Sequence, residues 1–369
     1  MTLTALQLTF QGDPKLKIRL EEYRGATTAA RFRDPRSELA ALRTSCGVYD
    51  LGFRAKLSIS GRDRVRWLNG MVSNNIRDLA AGHGVYAFLL NPQGRILGDL
   101  YVYNQGESFL IDTDQSQAEN ILAILKRYII MDKVEIANVS ERLTAIGVGG
   151  PRSREVLQAA GIEIPELAAL QFVTPQCKCE CECVECTIVR SDAAREAYEI
   201  WIAPDSVKKV WDALLSAGAS PVGCEALESE RIALGIPVYG LDIRERDLPQ
   251  ETGQMRALSF TKGCYIGQEI VERIRSRGNV HRQFTGFLLE GAAASPGTKV
   301  VAGEKEVGEI TSAAVLETQG GARTIALGYI RREAGEAGRE VMIGGEKASV
   351  VELPLSDATL MAKENAVAQ

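Results

Sequence analysis

The chain has 369 residues, 45% of them apolar and 25% charged, enough to bury cores in two or three compact units. Its net charge of -5 argues against a large sequence-independent nucleic-acid footprint, so no direct nucleic-acid partner is expected. There is no apolar run of about eighteen residues to cross a membrane and no leader pattern at the start, which predicts a cytoplasmic protein without a membrane partner.

Between Lys56 and Val148 the β-like runs KLSIS, VYAFLL, ILGDLYVYN, SFLID, KVEIA and LTAIGV alternate with helical stretches, an α+β layout. In the helical stretch QSQAENILAILKRYIIM, residues Ile121, Leu122, Leu125 and Ile129 form an apolar stripe that is expected to lie on a sheet as core. Pro151 stands at the first turn of a helix that Gly161 stops, and the strands CVECTIVR and AYEIWIA follow. Pro204 opens a further helix whose face is Val207, Val210, Trp211, Leu214 and Leu215, with Gly218 closing it. Strand, helix, strand, strand, helix predicts a split βαβ unit of the ferredoxin-like kind.

Five of the eight cysteines fall within CKCECECVEC, which is no secreted disulfide framework and fits a reducing compartment. Cys177, Cys179, Cys181 and Cys183 would share one face of a strand. Metal sites need Cys-x-x-Cys turns, and within the cluster Cys183 and Cys186 alone have that spacing, so no metal is expected there. With His83 and His281 the sole histidines, a Cys-His or Ser-His-Asp nucleophile system has little material.

The most informative stretch is LSFTKGCYIGQEIVERIRSRGNVHRQFTGF. Gly263 and Gly267 bracket a turn presenting Cys264 and Tyr265, and a helix runs from Gln268 to about Gly278. Lys262 and the helix N-terminus would place Cys264 in a positive field and raise its thiolate fraction, against the alternative of a small buried core residue. Arg273, Arg275 and Arg277, offset by Glu269 and Glu272, read as a solvated helix face, or else as partners of an anion or an acidic protein. From Arg282 onward short strands with Gly-rich turns predict a small β-barrel or sandwich, ending in a frayed tail. The domain boundaries expected from these changes are 1–140, 141–281 and 282–369.

KGCYIGQE resembles the signature of YgfZ-type folate-binding proteins, relatives of the glycine-cleavage T-protein. The segments LRTSCGVYDLGFRAKLSISGRDRVRWLNGMVSNNI, ESERIALGIPVYGLDI and LPQE stand in the same family order. The resemblance implies a T-protein-like ring of three domains around a folate-sized hole, with a C-terminal β-barrel, a bound tetrahydrofolate, and a monomeric accessory or repair factor serving iron–sulfur enzymes or their assembly proteins. The alternative it leaves open is an aminomethyltransferase or another folate-dependent one-carbon transferase.

Carried over one residue at a time, LLNPQGRILGDL resembles the T-protein stretch with two consecutive aspartates. Asp99 matches the second, catalytic one, Gly98 replaces the first, and Asn91 matches the family asparagine. Glu199 falls where T-proteins hold the pterin, and a carboxylate there can accept two parallel hydrogen bonds. Arg231 fits the second arginine of the family helix, while Leu227 replaces the first. The resemblance thus implies folate binding by Asn91, Asp99, Glu199, Arg231, Tyr239 and Tyr265, and catalytic roles for Cys264, Asp99 and Lys262.

Overall fold

The computed structural model describes residues 2–11, 18–175, 184–191, 195–278, 280–318 and 321–355. Cys177, Cys179, Cys181 and Cys183, like the tail after Leu355, lie outside the described residues. The chain divides into two compact units, each discontinuous in sequence. Unit 1 is Met1–Leu90, Gly98–Leu227 and Arg256–Ile266, and unit 2 is Asn91–Leu97, Glu228–Met255 and Gly267–Gln369. No helix among the described residues is long and apolar enough to cross a membrane.

Besides a two-stranded sheet, Arg19–Tyr23 with Ala26–Arg31, unit 1 has two larger sheets. In the first, five strands run in the order Gly84–Leu90, Ile96–Asn104, Phe109–Asp114, Arg54–Ser60, Glu135–Asn138. Helix Gln115–Arg127 links Phe109–Asp114 to Glu135–Asn138 across the intervening Arg54–Ser60, a split βαβ unit. The helix buries Gln117, Ala118, Ile121 and Leu125. That corrects the expected stripe: Leu122 and Ile129 are half-buried, the helix stops at Arg127, and Ile130 and Met131 are exposed. The buried face is set one turn earlier because the polar Gln117 turns inward.

The second sheet runs Phe172–Val173, Cys186–Arg190, Ala197–Ile202, Thr144–Gly149, Gly47–Asp50, Ser220–Val222. Helix Ser153–Ala159 connects Thr144–Gly149 to the sheet's far side, and Ala197–Ile202 lies between, so this too is a split βαβ unit. The upstream strand Gly47–Asp50 is wedged into it. That insertion requires a glycine opposite: Tyr49 pairs with Gly147, and a Cβ on Gly147 would sit 1.9 Å from the Tyr49 ring. Val207, Val210, Trp211 and Leu214 of helix Val207–Ser216 bury their side chains as expected, here with Ile146, Val148, Ile188 and Ile200 of the sheet, while Leu215, also expected on that face, is half-buried at its edge.

In unit 2, strands Arg282–Leu289, Gly321–Arg331, Lys305–Thr318, Lys299–Ala302, Glu340–Ile343 and Glu346–Val351 close into a six-stranded barrel. Phe287, Val300, Ile310, Ile330 and Val350 fill its interior. The C-terminal barrel and the split βαβ units are those expected from the sequence.

Candidate functional site

Alternation along the strands of the first sheet puts charged and aromatic residues on one face. Arg54 pairs with Asp114, Lys56 with Asp112, and Asp112 with Tyr101 across the strands. Glu199 and Trp201 of the second sheet meet this face within unit 1. The Tyr103 and Trp201 rings stand edge to face at 4.8 Å, and the Lys56 ammonium lies 4.9 Å from the Trp201 ring. The layer between the two sheets thus sets charges beside an apolar cluster of Tyr103, Leu110, Ala145, Val189 and Trp201, and Lys56 and Asp112 are fully buried in it.

Such burial is tolerable only with partners. Arg54 Nε donates to Asp112 Oδ1 at 2.7 Å, its Nη1 donates to Asp114, and Lys56 donates to the other Asp112 oxygen. Burial works against the Asp112 charge, but the Arg54 guanidinium and the Lys56 ammonium overcome it and hold the carboxyl below its ordinary range. Glu199 responds in the opposite direction. Burial and then the Asp112 charge push its carboxyl up, while Lys56, Arg54 and a 2.9 Å hydrogen bond from Trp201 Nε1 pull the other way.

Asp99 stands in the same electrostatic field. The Tyr86 hydroxyl donates to Asp99 Oδ2 at 2.7 Å and Gln117 Nε2 donates to Oδ1 at 2.8 Å. The Arg256 guanidinium stacks 4.5 Å from the Tyr86 ring. Burial and then Asp114 push Asp99 up, against Tyr86, Gln117 and Arg54. The carboxyl can thus hold a proton at a higher pH than a solvated aspartate. A side chain at Gly98 would meet Ile121 at 3.2 Å and Gln117 Oε1 at 3.3 Å, so Gln117 crowds the place a second aspartate would start from.

Asp99 and Glu199 are therefore brought into one charge network, while Asn91, Arg231 and Tyr239 belong to unit 2. Asn91 Oδ1 accepts from the amides of Gln93 and Arg95 at 3.0 Å each and fastens a tight turn. The five N–H bonds of Arg231 are matched by acceptors on Glu228, Asp242, Ile236 and Ser312. A ligand would have to displace one of them. Tyr239 is half-buried and bridges to Ile243.

The glycine-bracketed segment is placed differently from its expectation. Gly267 takes the left-handed conformation at φ +85 just before helix Gln268–Arg277, but Gly263 does not, and a Cβ there would meet open space. Cys264 is exposed and Tyr265 is buried. Lys262 turns inward, donating to the carbonyls of Asn69, Val72 and Asn74 at 2.6 Å each. Burial and then Arg77 push its ammonium down to about 7, yet three carbonyl acceptors match three N–H donors and favour the charged form. Lys262 fastens the segment after helix Arg64–Met71. On the following helix Arg273 pairs with Glu269 and Arg275 with Glu272, as a solvated face would.

Sequence reasoning missed Arg54, Lys56, Asp112, Asp114, Tyr86 and Gln117. Charged residues two apart in the otherwise apolar runs RAKLSIS and FLIDTD were the available signal.

Comparison with known proteins adds to this geometry. Residues 18–262 match the GCVT N-terminal domain and residues 282–357 the glycine cleavage T-protein C-terminal barrel domain. An aminomethyltransferase of Rubrobacter xylanophilus is 28% identical over 333 residues, covering 89% of this chain and 87% of the relative. A putative chloroplastic transferase of Arabidopsis thaliana is 26% identical over 87% of this chain and 73% of its own length. The solved aminomethyltransferase T of the glycine cleavage system from Bartonella henselae superposes with a TM-score of 0.85 at 21% identity, over 97% of this chain and 98% of that one, a likeness of fold.

Proposed function

The chain belongs to the glycine-cleavage T-protein family, and from that premise we propose that it is a tetrahydrofolate-binding one-carbon transferase of the aminomethyltransferase type. The observation that carries this reading is the placement in unit 1 of Glu199, held by Trp201, and Asp99, held by Tyr86 and Gln117, beside the Arg54–Asp112–Lys56 ion pairs. The donor set fits a pterin: Trp201 occupies one lone-pair direction of Glu199, leaving acceptor capacity for ring N–H and amino groups. Tetrahydrofolate, when bound, supplies the nitrogens that receive the one-carbon unit.

The chain's own residues do the rest. Glu199 orients the ring, with Lys56 and Arg54 limiting the cost of its charge. Asp99, fixed from both sides by Tyr86 and Gln117, stabilises developing positive charge or holds a proton beside the reacting nitrogen. The test is transfer itself: the protein, tetrahydrofolate and an aminomethylated lipoyl carrier should yield methylene-tetrahydrofolate and ammonia. Asp99→Asn should lower the rate roughly 10²–10⁴-fold. Absence of transfer by the native chain, with folate still bound, would remove this activity.

A second reading keeps the folate site and assigns the protein to iron–sulfur enzyme maintenance, as in YgfZ-type relatives. The exposure of Cys264 favours it, since Cys46, Cys186 and Cys224 are buried. Complementation of cells lacking the protein by Cys264→Ser would rule out a thiol-based mechanism of this kind.

A further inference from the structure

Unit 2 contains a cavity of about 550 Å³ that the folate reading does not use. It lies on the outside of the barrel, because Glu309 and Tyr329, paired across two strands, alternate with Ile310 and Ile330 of the interior. Five Lys or Arg side chains and three glutamates line it, a local positive excess in a chain whose net charge is -5. Arg244, Arg246 and Lys299 all reach the single carboxylate of Glu309. Arg246 also lies 3.9 Å from Asp247, which leaves Lys299 and Arg244 sharing Glu309. The cations overcome the effect of burial and hold the Glu309 carboxyl below its ordinary range. Arg95, also in the lining, donates to the Arg246 carbonyl and has no carboxylate partner among the described residues.

Tyr329 is an independent sign of a ligand. It lines the same cavity, is 3% exposed, and its hydroxyl finds no hydrogen-bond partner among the described residues. The Arg282 guanidinium covers its ring at 4.6 Å. Buried hydroxyls are ordinarily paired; the Asp247, Asp242 and Glu251 charges bear on this one without a hydrogen bond to it, Arg282 offsets them, and an arriving anion could supply the missing acceptor.

We propose that this cavity binds a small, multiply charged anion with phosphoryl or carboxylate oxygens, held by Arg246 and Lys299 and accepting from the Tyr329 hydroxyl. Guanidinium forks suit both kinds of oxygen, and the volume admits a metabolite larger than inorganic phosphate.

The experiment is calorimetry on the full chain with inorganic phosphate and with citrate, each at constant ionic strength against chloride. Saturable binding of at least one probe is expected; the tighter one identifies phosphoryl or carboxylate chemistry. The exposed pair Arg246→Gln with Lys299→Gln should weaken binding about tenfold or more, the scale of charge-assisted contacts. Tyr329→Phe should weaken it severalfold without lowering Tm, because the hydroxyl gives up no protein partner. Failure of both probes to bind saturably, or unchanged affinity in either variant, overturns the proposal.

Discussion

Gln117 is hydrogen-bonded to Asp99 twice: its Nε2 donates to Asp99 Oδ1 at 2.8 Å and its Oε1 accepts from the Asp99 amide at 3.1 Å. One residue at the start of a helix thereby fixes both the backbone and the carboxylate of a neighbouring strand. Replacing Gln117 with the similarly sized Met should keep the helix packed but remove both bonds. Stability should fall by about 1–3 kcal/mol, the usual cost of leaving buried partners unmatched, as measured by urea unfolding.

The carboxyl of Asp99 is raised by burial and then by Asp114, which fixes the sign of its linkage to folding. A raised acid binds its proton more tightly in the folded state, so its contribution is present below the unfolded value of about 4 and is lost as pH rises through the folded value. Asp99→Asn should therefore be more stable than the native chain at pH 7, with the difference shrinking as pH falls toward 4. An equal or lower stability at pH 7 would contradict the burial argument.

Asp112 carries the reverse sign. Although burial opposes its charge, Arg54 and Lys56 hold it low, so its contribution is present above about pH 4 and is lost as pH falls through the folded value. Asp112→Ala leaves Lys56 buried with no carboxylate, and should cost about 3–5 kcal/mol in denaturant unfolding at pH 7.

Thiol labelling separates the four described cysteines. Cys264 is exposed, whereas Cys46 is buried and its thiol is pushed up to about 11 by burial, against Ser153 and Arg152. Mass spectrometry after brief alkylation near neutral pH should find Cys264 modified before Cys46, Cys186 and Cys224. Cys264→Ser should retain the native Tm. Protection of Cys264 equal to that of Cys46 would remove the exposure on which a thiol role depends.

The barrel and the split βαβ units were legible because apolar alternation and the helix-closing glycines Gly161 and Gly218 mark elements locally. Motif resemblance singled out Asp99 and Glu199, and the structure places both in unit 1 near Arg54. The network around Arg54 was not, because its pairing with Asp112 and Asp114 spans more than fifty residues of sequence and depends on strand order. Gln117 was hidden for a similar reason: a polar residue on a helix reads as solvent-facing until a strand supplies its partner. Lys262 could be seen to be cationic, but not that three carbonyls from an earlier segment would claim it.

Whether Glu199 belongs to a folate site is decided by calorimetric titration of tetrahydrofolate into the native chain and into Glu199→Ala. Saturable binding to the native chain is expected, weakened in the variant by about 1.5–3 kcal/mol, the range for hydrogen bonds to a charged group. The variant removes a carboxyl whose charge burial opposes but leaves the buried Trp201 Nε1 without its acceptor, so its Tm is measured alongside the titration to show that it is folded. Absence of binding by the native chain, or undiminished affinity in Glu199→Ala, would contradict the assignment.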